Sequence, residues 1–271
     1  MKYALGNMLN GAGVRGLDPS AKAYINAIVA AGATVTEAQR NAINTFVKSE
    51  KISSRWDSIK RFYLPIWGVA SPNAICMSSL ASGTFINSPT MGAGFVKGNG
   101  FSSYFDTGAN CIDVGMIPGS SHIFALVKAK TNSTSFKTNI GVSQIARKIL
   151  RLVRNNTTDE AAAGAQLNGG AGTGNGIFIA SETATDSRYL SQRNLSGYTS
   201  RATSTTSNTD QYSSANVFSM SLSNNGVPSQ HSDAELGVFG FGLAIPSSAA
   251  SDYTLNIKNL WESCTGLTIP T

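Results

Sequence analysis

Charge is scarce in this chain. Only 13% of its 271 residues are Asp, Glu, Lys or Arg, about half the share of an average globular protein. Histidine and cysteine are scarcer still, at two and three copies. Each shortage excludes something. His122 and His231 have no partner at metal-ligand spacing, so neither nominates a metal site. Cys76, Cys111 and Cys264 are odd in number, far apart and without a CxxC, which leaves no disulfide framework to propose. They read as reduced, at least partly buried thiols of a protein made and used without oxidative folding. No apolar run approaches the ~18 residues that span a membrane. The opening MKYALGNMLNGAG lacks the sustained apolar stretch of a signal peptide. The expectation is a soluble protein made in the cytoplasm.

What fills the gap is Gly, Ser, Thr, Asn and Ala, against a hydrophobic fraction of 41%. That mixture suits many short strands joined by turns. The net charge is +6, and most of it sits early. Residues 1–70 hold nine Lys/Arg against four Asp/Glu, and the rest of the chain holds twelve against eleven. The early positive charges are dispersed rather than clustered. A solvated or docking helix face explains them better than a nucleic-acid site.

Along the chain, residues 1–17 are rich in Gly and Asn and cannot build a core; they read as a flexible attachment segment. Residues 18–69 read as a helical module. Asp18 is a good N-cap with Pro19 at the first helical position, Tyr24, Ile25, Ile28 and Val29 form an apolar stripe, and Gly32 ends the helix. Thr36 and Gln39 make a capping box before Ala38, Ala42, Ile43, Phe46 and Val47. A third helix is expected from Ser54 to Pro65, carrying Trp56, Ile59, Phe62 and Tyr63. The apolar faces of these short helices must pack on each other, on the following domain or on a neighbour; copies are expected to associate, with a trimer favoured.

Residues 70–271 read as a β-sandwich. The best strands are 122–129, 138–142, 149–154, 176–180, 188–191, 217–223 and 236–245. The stretches 155–176 and 199–216 read as loops. A closing helix is expected at 247–265, with Tyr253, Ile257, Leu260, Trp261 and Cys264 on one face.

No catalytic, cofactor-binding or metal-binding residue can be named. The acids of the β region (among them Asp106, Asp159, Glu160, Glu182, Asp186, Asp233 and Glu235) show no glycosidase-like pair. GGAGTGNG (169–176) lacks the Lys-Ser/Thr of a phosphate loop. Arg147, Lys148, Arg151 and Arg154 are interleaved with Ile149, Leu150, Leu152 and Val153, as on a strand whose charged face is solvated or pairs with an acidic partner chain and guards a sheet edge. Tyr104, Tyr189, Tyr198 and Tyr212 could stack on sugars at a concave face or loop tips, and they fit ordinary sheet packing as well; the ligand-binding residues stay unassigned.

Residues 18–68 resemble a module of structural proteins of tailed bacteriophages. The likeness rests on Asp18, Ala21, Tyr24, Ala42, Ile43, Phe46, Val47, Trp56, Tyr63, Pro65 and Gly68. GNGFSSYFDTG (98–108) and the stretch 221–263 are similar to that family's later segments. The chain departs from the pattern at Leu64–Gly68, and residues 1–17 have no counterpart. The resemblance implies a mostly β, antiparallel sandwich of the jelly-roll, concanavalin-like kind, preceded by two to three short helices and closed by a C-terminal one. It implies a non-enzymatic virion component of head-fibre, head-decoration or tail-fibre type, docked through its N-terminal segment with the β domain facing outward on the particle surface. The alternative is a glycan-binding, receptor-recognition module of the phage. No cofactor is implied.

Overall fold

The computed structural model describes residues 16–129, 136–144, 149–154, 159–169 and 175–270. Two eight-stranded sheets pack face to face under a layer of helices. The fold is the expected one: mostly β, antiparallel, with short N-terminal helices and a closing C-terminal helix.

The early helices start where their caps place them. Helix α1 (Pro19–Ala30) is capped by Asp18, whose carboxylate accepts from the Ser20 N–H at 2.8 Å. Helix α2 (Glu37–Ile52) carries the complete Thr36–Gln39 capping box. The third expected helix does not form. Ser54 takes a left-handed φ of 56°, Trp56–Ser58 is one 3-10 turn, and strand β1 (Ile59–Tyr63) follows. A β-branched and aromatic run beside an open strand edge gains more as a strand than its helical spacing offers. After a one-turn helix α3 (Ala70–Asn73) the chain is β as far as α4 (Ser247–Thr265), which stops at Gly266 in the left-handed region.

The first sheet runs β12 (Gly197–Ser204), β11 (Ser187–Asn194), β10 (Gly176–Ala184), β6 (Ser121–Ala129), β16 (Glu235–Gly242), β4 (Phe95–Lys97) and β3 (Thr90–Gly92). On β16, Glu235 and Leu236 pair with β4, and Phe239–Gly242 pair with β1. The second sheet runs β15 (Val227–Ser229), β14 (Leu222–Asn224), β7 (Lys137–Ser143), β13 (Asn216–Ser219), β5 (Tyr104–Asn110) and β2 (Thr84–Ile86). From β7 it is extended by β8 (Ile149–Arg154) and β9 (Asp159–Asn168). Every pairing between these strands is antiparallel except β14 with β7.

The first sheet is buried on both faces, which explains why HIFALVKA carries no alternation. Ile123, Ala125 and Val127 point into the sandwich. Phe124 and Leu126 point into the helical layer, against Ile25, Ile28, Ile43, Phe46, Tyr253, Ile257 and Trp261. Most of the helical stripes are thus buried within the chain, with Val29 and Ala38 left exposed, so unpartnered helices no longer argue for self-association. The second sheet alternates instead. Along β5, Phe105, Thr107 and Ala109 are buried while Tyr104, Asp106, Gly108 and Asn110 are not, so its other face meets solvent.

Glycines set two close approaches. A Cβ on Gly237 would lie 2.6 Å from both Leu126 Cδ2 and Trp261 Nε1, and one on Gly240 would lie 2.0 Å from the Arg61 carbonyl oxygen. The first leaves room for the Trp261 indole, whose N–H donates to the Gly94 carbonyl at 2.9 Å. The second lets β1 pair.

Other expectations need correction. Residues 155–176 contain β9, because the edge of β8 offers a hydrogen-bonding partner that a small-residue composition does not exclude. For the same reason β8 is an interior strand, and Arg151 and Arg154 guard no edge; Arg147 and Lys148 lie outside the described residues. Residues 199–216 begin with most of β12, paired to β11. The run 217–223 breaks at Met220, whose φ of 62° divides β13 from β14. Of the attachment segment 1–17 only Gly16 and Leu17 are described.

Candidate functional site

The four tyrosines separate by their surroundings. Tyr212 is fully buried; its hydroxyl donates to Glu182 at 2.5 Å and contacts Ser121 Oγ at 2.5 Å. Burial, then the Glu182 charge, pushes its phenol well above the usual range. Glu182 is in turn held by Arg188 at 2.9 Å, with both side chains fully buried. Arg188 also donates to the Thr185 and Thr206 carbonyls. This network ties the segment after β12 to the first sheet, and it is closed to any ligand. Tyr189 is 4% exposed and donates to the Ile245 carbonyl at 2.7 Å. Tyr198 is half-buried, donates to Ser191 Oγ at 2.9 Å and lies under the Arg193 guanidinium.

Tyr104 is different. It opens β5 on the outer face of the second sheet, half-buried, with its ring 4.7 Å from Phe218. Before it comes a loop whose shape is fixed by one side chain. Asn99 Oδ1 accepts from the backbone N–H groups of Phe101, Ser102 and Ser103 at 2.9, 2.9 and 3.0 Å. The Asn99 N–H donates to Ser103 Oγ at 2.6 Å, and its amide donates to Ser102 Oγ. Asn87 Nδ2 donates to the Ser102 carbonyl at 3.1 Å, and Lys137 Nζ to the Gly100 carbonyl at 3.1 Å. Gly98 passes so close to the Ser232 carbonyl that a Cβ would stand 2.1 Å from it. This is an Asx-type turn anchored at both ends.

The locked loop holds Phe101 86% exposed. Lys137 and Asp233 approach the loop at Gly100, and His231, on the segment after β15, lies 6.2 Å from the Tyr104 ring. Burial lowers the His231 pKa, Lys137 adds to this, and a hydrogen bond with the Ser103 backbone opposes it. The imidazole is therefore neutral at neutral pH. An aromatic ring held in solvent on a fixed backbone, with a phenol three residues on and polar groups along the loop, can stack on an apolar face and hydrogen-bond its rim.

The remaining candidates serve the fold. His122 is buried against the Leu243 carbonyl, and burial lowers its pKa to about 4. Glu235 pairs with Lys128 at 3.1 Å and Lys97 at 3.7 Å. Asp106 accepts from Asn216 and from the Gly108 N–H. The side chains of Asp159 and Glu160, and residues 170–174 of the glycine-rich stretch, lie outside the description. The three cysteines are free and buried. Among the described residues no cluster of three or more His, Cys, Asp or Glu could hold a metal ion, and no helix is long and apolar enough to cross a membrane. Sequence reasoning missed Phe101. Its signal was there, an apolar residue inside N-G-F-S-S, a polar turn that has no use for one.

No protein family matches the chain, and no curated protein matches it. Solved structures with a similar fold include domain 4 of an extracellular arabinanase from Geobacillus stearothermophilus, determined with arabinotriose (9% identity, TM-score 0.45, 73% of this chain and 98% of that one). A CBM40 domain of a Ruminococcus gnavus sialidase, bound to α2,3-sialyllactose, aligns at 10% identity and TM-score 0.42 over 64% of this chain and 96% of its own. A tailspike protein of an Escherichia coli O157:H7 bacteriophage aligns at 12% identity and TM-score 0.38 over 65% of this chain and 26% of its own. The fold assignment rests on the sheet order itself.

Proposed function

We propose that this chain is a non-enzymatic structural component of a bacteriophage virion, of head-fibre, head-decoration or tail-fibre type, and that its outward end recognises host-surface glycan around Phe101 and Tyr104. The observation that carries the recognition role is the loop 98–103. Keeping a phenyl ring 86% in water gains nothing for folding. Yet the backbone beneath it is fixed by Asn99, Asn87 and Lys137. A preorganised anchor of this kind loses little conformational entropy on binding. The virion assignment is supported by the resemblance of residues 18–68 to phage structural modules, and it puts the protein on the particle surface after synthesis in the host cytoplasm.

The recognition role is tested by binding the full chain to an array of bacterial surface polysaccharides, beside Phe101→Ala. Because Phe101 is exposed, the substitution should leave stability within about 0.5 kcal/mol while weakening binding at least about tenfold. Binding to no polysaccharide, or equal binding by Phe101→Ala, removes the recognition role. The virion role is tested by fitting the chain into a density map of the intact particle. Absence from purified particles removes it.

A further inference from the structure

The residues around Trp56 form a second concave surface, away from the Phe101 loop. A cleft of about 430 Å3 is lined by Trp56, Asp57, Lys60, Arg61, Ser78 and Asp113, with Ile59, Ser79 and Val114 completing it. A second, of about 350 Å3, lies between Lys51, Ser54, Trp56 and Asp57. Trp56 and Asp57 line both, so the two adjoin across the indole. This volume suits a small molecule. The cleft and the Phe101 loop belong to opposite ends of β16. Ile59 pairs with Gly242 at one end, and Lys97 pairs with Glu235 at the other. Eight residues of strand separate them, about 23 Å at ~3.3 Å per residue.

The indole is placed by a buried lock. Arg55, its neighbour, donates to Glu50 from Nε at 2.7 Å and Nη2 at 3.0 Å. Asn256 of α4 donates to the same carboxylate at 2.6 Å. Trp56 is left half-exposed, with Lys51 Nζ 5.9 Å from its ring centre.

The charges in the cleft are balanced and uncommitted. Asp57 and Asp113 face the same space as Lys60 and Arg61, yet no ion pair joins them among the described residues. Asp113 accepts only from Asn110 Nδ2, at 2.6 Å, and Asp57 accepts no hydrogen bond from the described residues. Arg61 uses Nη1 on the Lys60 carbonyl at 2.9 Å, and its buried Nε has no partner among the described residues. Two carboxylates and two cations with open valences suit a ligand whose groups donate and accept at once. A hydroxyl does this, with one donor and two acceptor lone pairs. A row of hydroxyls on a ring with an apolar C–H face would satisfy the carboxylates, the cations and the indole together. A purely anionic ligand would leave Asp57 and Asp113 repelling it, and a purely cationic one would meet Lys60 and Arg61.

We infer that the Trp56 cleft is a binding site for a neutral oligosaccharide, its rings lying across the indole with hydroxyls shared between Asp57/Asp113 and Lys60/Arg61. This site is separate from the proposed recognition surface at Phe101, and each is tested by its own variant. The full chain, labelled with nitrogen-15, is titrated with maltotriose, cellotriose and chitotriose at millimolar concentration, and with sialyllactose and a uronic-acid trisaccharide. The expected result is saturable shifts at the Trp56 indole N–H and at Lys60 and Asp113 with at least one neutral trisaccharide. Trp56→Ala and the exposed-side-chain variant Asp57→Asn should each weaken that binding at least about tenfold, with Phe101→Ala unchanged. A folded spectrum of Asp57→Asn keeps the test decisive if Trp56→Ala fails to fold. Silence of all neutral saccharides, binding of the acidic ones alone, or binding indifferent to Asp57→Asn overturns the inference.

Discussion

Replacing Glu50 with alanine should destabilise the whole chain and disturb the Trp56 cleft together. Glu50 is a charged side chain with no exposure, on a helix otherwise buried through Ile43, Phe46 and Val47. Its carboxylate takes two hydrogen bonds from Arg55 and one from Asn256, so it joins α2, the turn before β1 and α4 at one point. Removing one partner of a buried ion pair costs about 3–5 kcal/mol. The Arg55 side chain keeps 10% exposure and can recover some hydration, which places the expectation near the lower figure, about 3 kcal/mol. For a chain of this size that is a fall in melting temperature of roughly 6 °C or more. Differential scanning calorimetry at neutral pH measures it, with chemical denaturation as a check on the slope. The apolar double variant Glu50→Leu/Arg55→Met should lose much less, since it removes both charges and leaves none stranded. A loss under about 1 kcal/mol for Glu50→Ala, or a double variant as damaged as the single one, would refute the view that this pair is a buried lock.

Gly237→Ala should cost about 1–3 kcal/mol by overpacking, read from the denaturation midpoint. Its effect should shrink in a Trp261→Phe background, because the added methyl meets Trp261 Nε1 at 2.6 Å. His122, buried with a pKa near 4, is held neutral in the fold while the unfolded chain titrates near its ordinary value of about 6.5. Its contribution is complete above pH ~6.5 and is lost as the pH falls towards 4, by about 3 kcal/mol in total; His122→Gln should flatten that part of the stability–pH curve. Burial pushes the Cys111 and Cys264 thiols up to about 12, so a thiol reagent at pH 8 should label the native chain slowly and the unfolded chain at all three cysteines; fast native labelling contradicts the burial.

The helix starts were legible because capping is local: Asp18 with Ser20, and Thr36 with Gln39, act over two or three residues. So was α4, whose periodic apolar face ends at a glycine. What misled was any segment whose state a distant neighbour decides. Ile59–Tyr63 is a strand because Phe239–Gly242 is there to pair with it, and Asp159–Asn168 because Ile149–Arg154 is. The site was legible only at Tyr104. Tyr189 and Tyr212 carry the same ring and hydroxyl, and only the surrounding strands bury them. Trp56 read as an apolar helix residue, and it lines a cleft because α2 stops at Ile52 and the left-handed Ser54 turns the chain before it.

The helical layer also dictates an order of events during synthesis. Helices α1 and α2 are complete within the first 52 residues, but the face they bury is shared with Tyr253, Ile257, Leu260 and Trp261. Until α4 has been made, some 200 residues after α2, the part of that face covered by Tyr253, Ile257, Leu260 and Trp261 stays open. The nascent chain carries that apolar surface while the whole β region between α2 and α4 is being made. Closing the layer is then a contact of very long sequence separation, the kind that makes folding slow and makes the interval before α4 is made a period of exposure to aggregation.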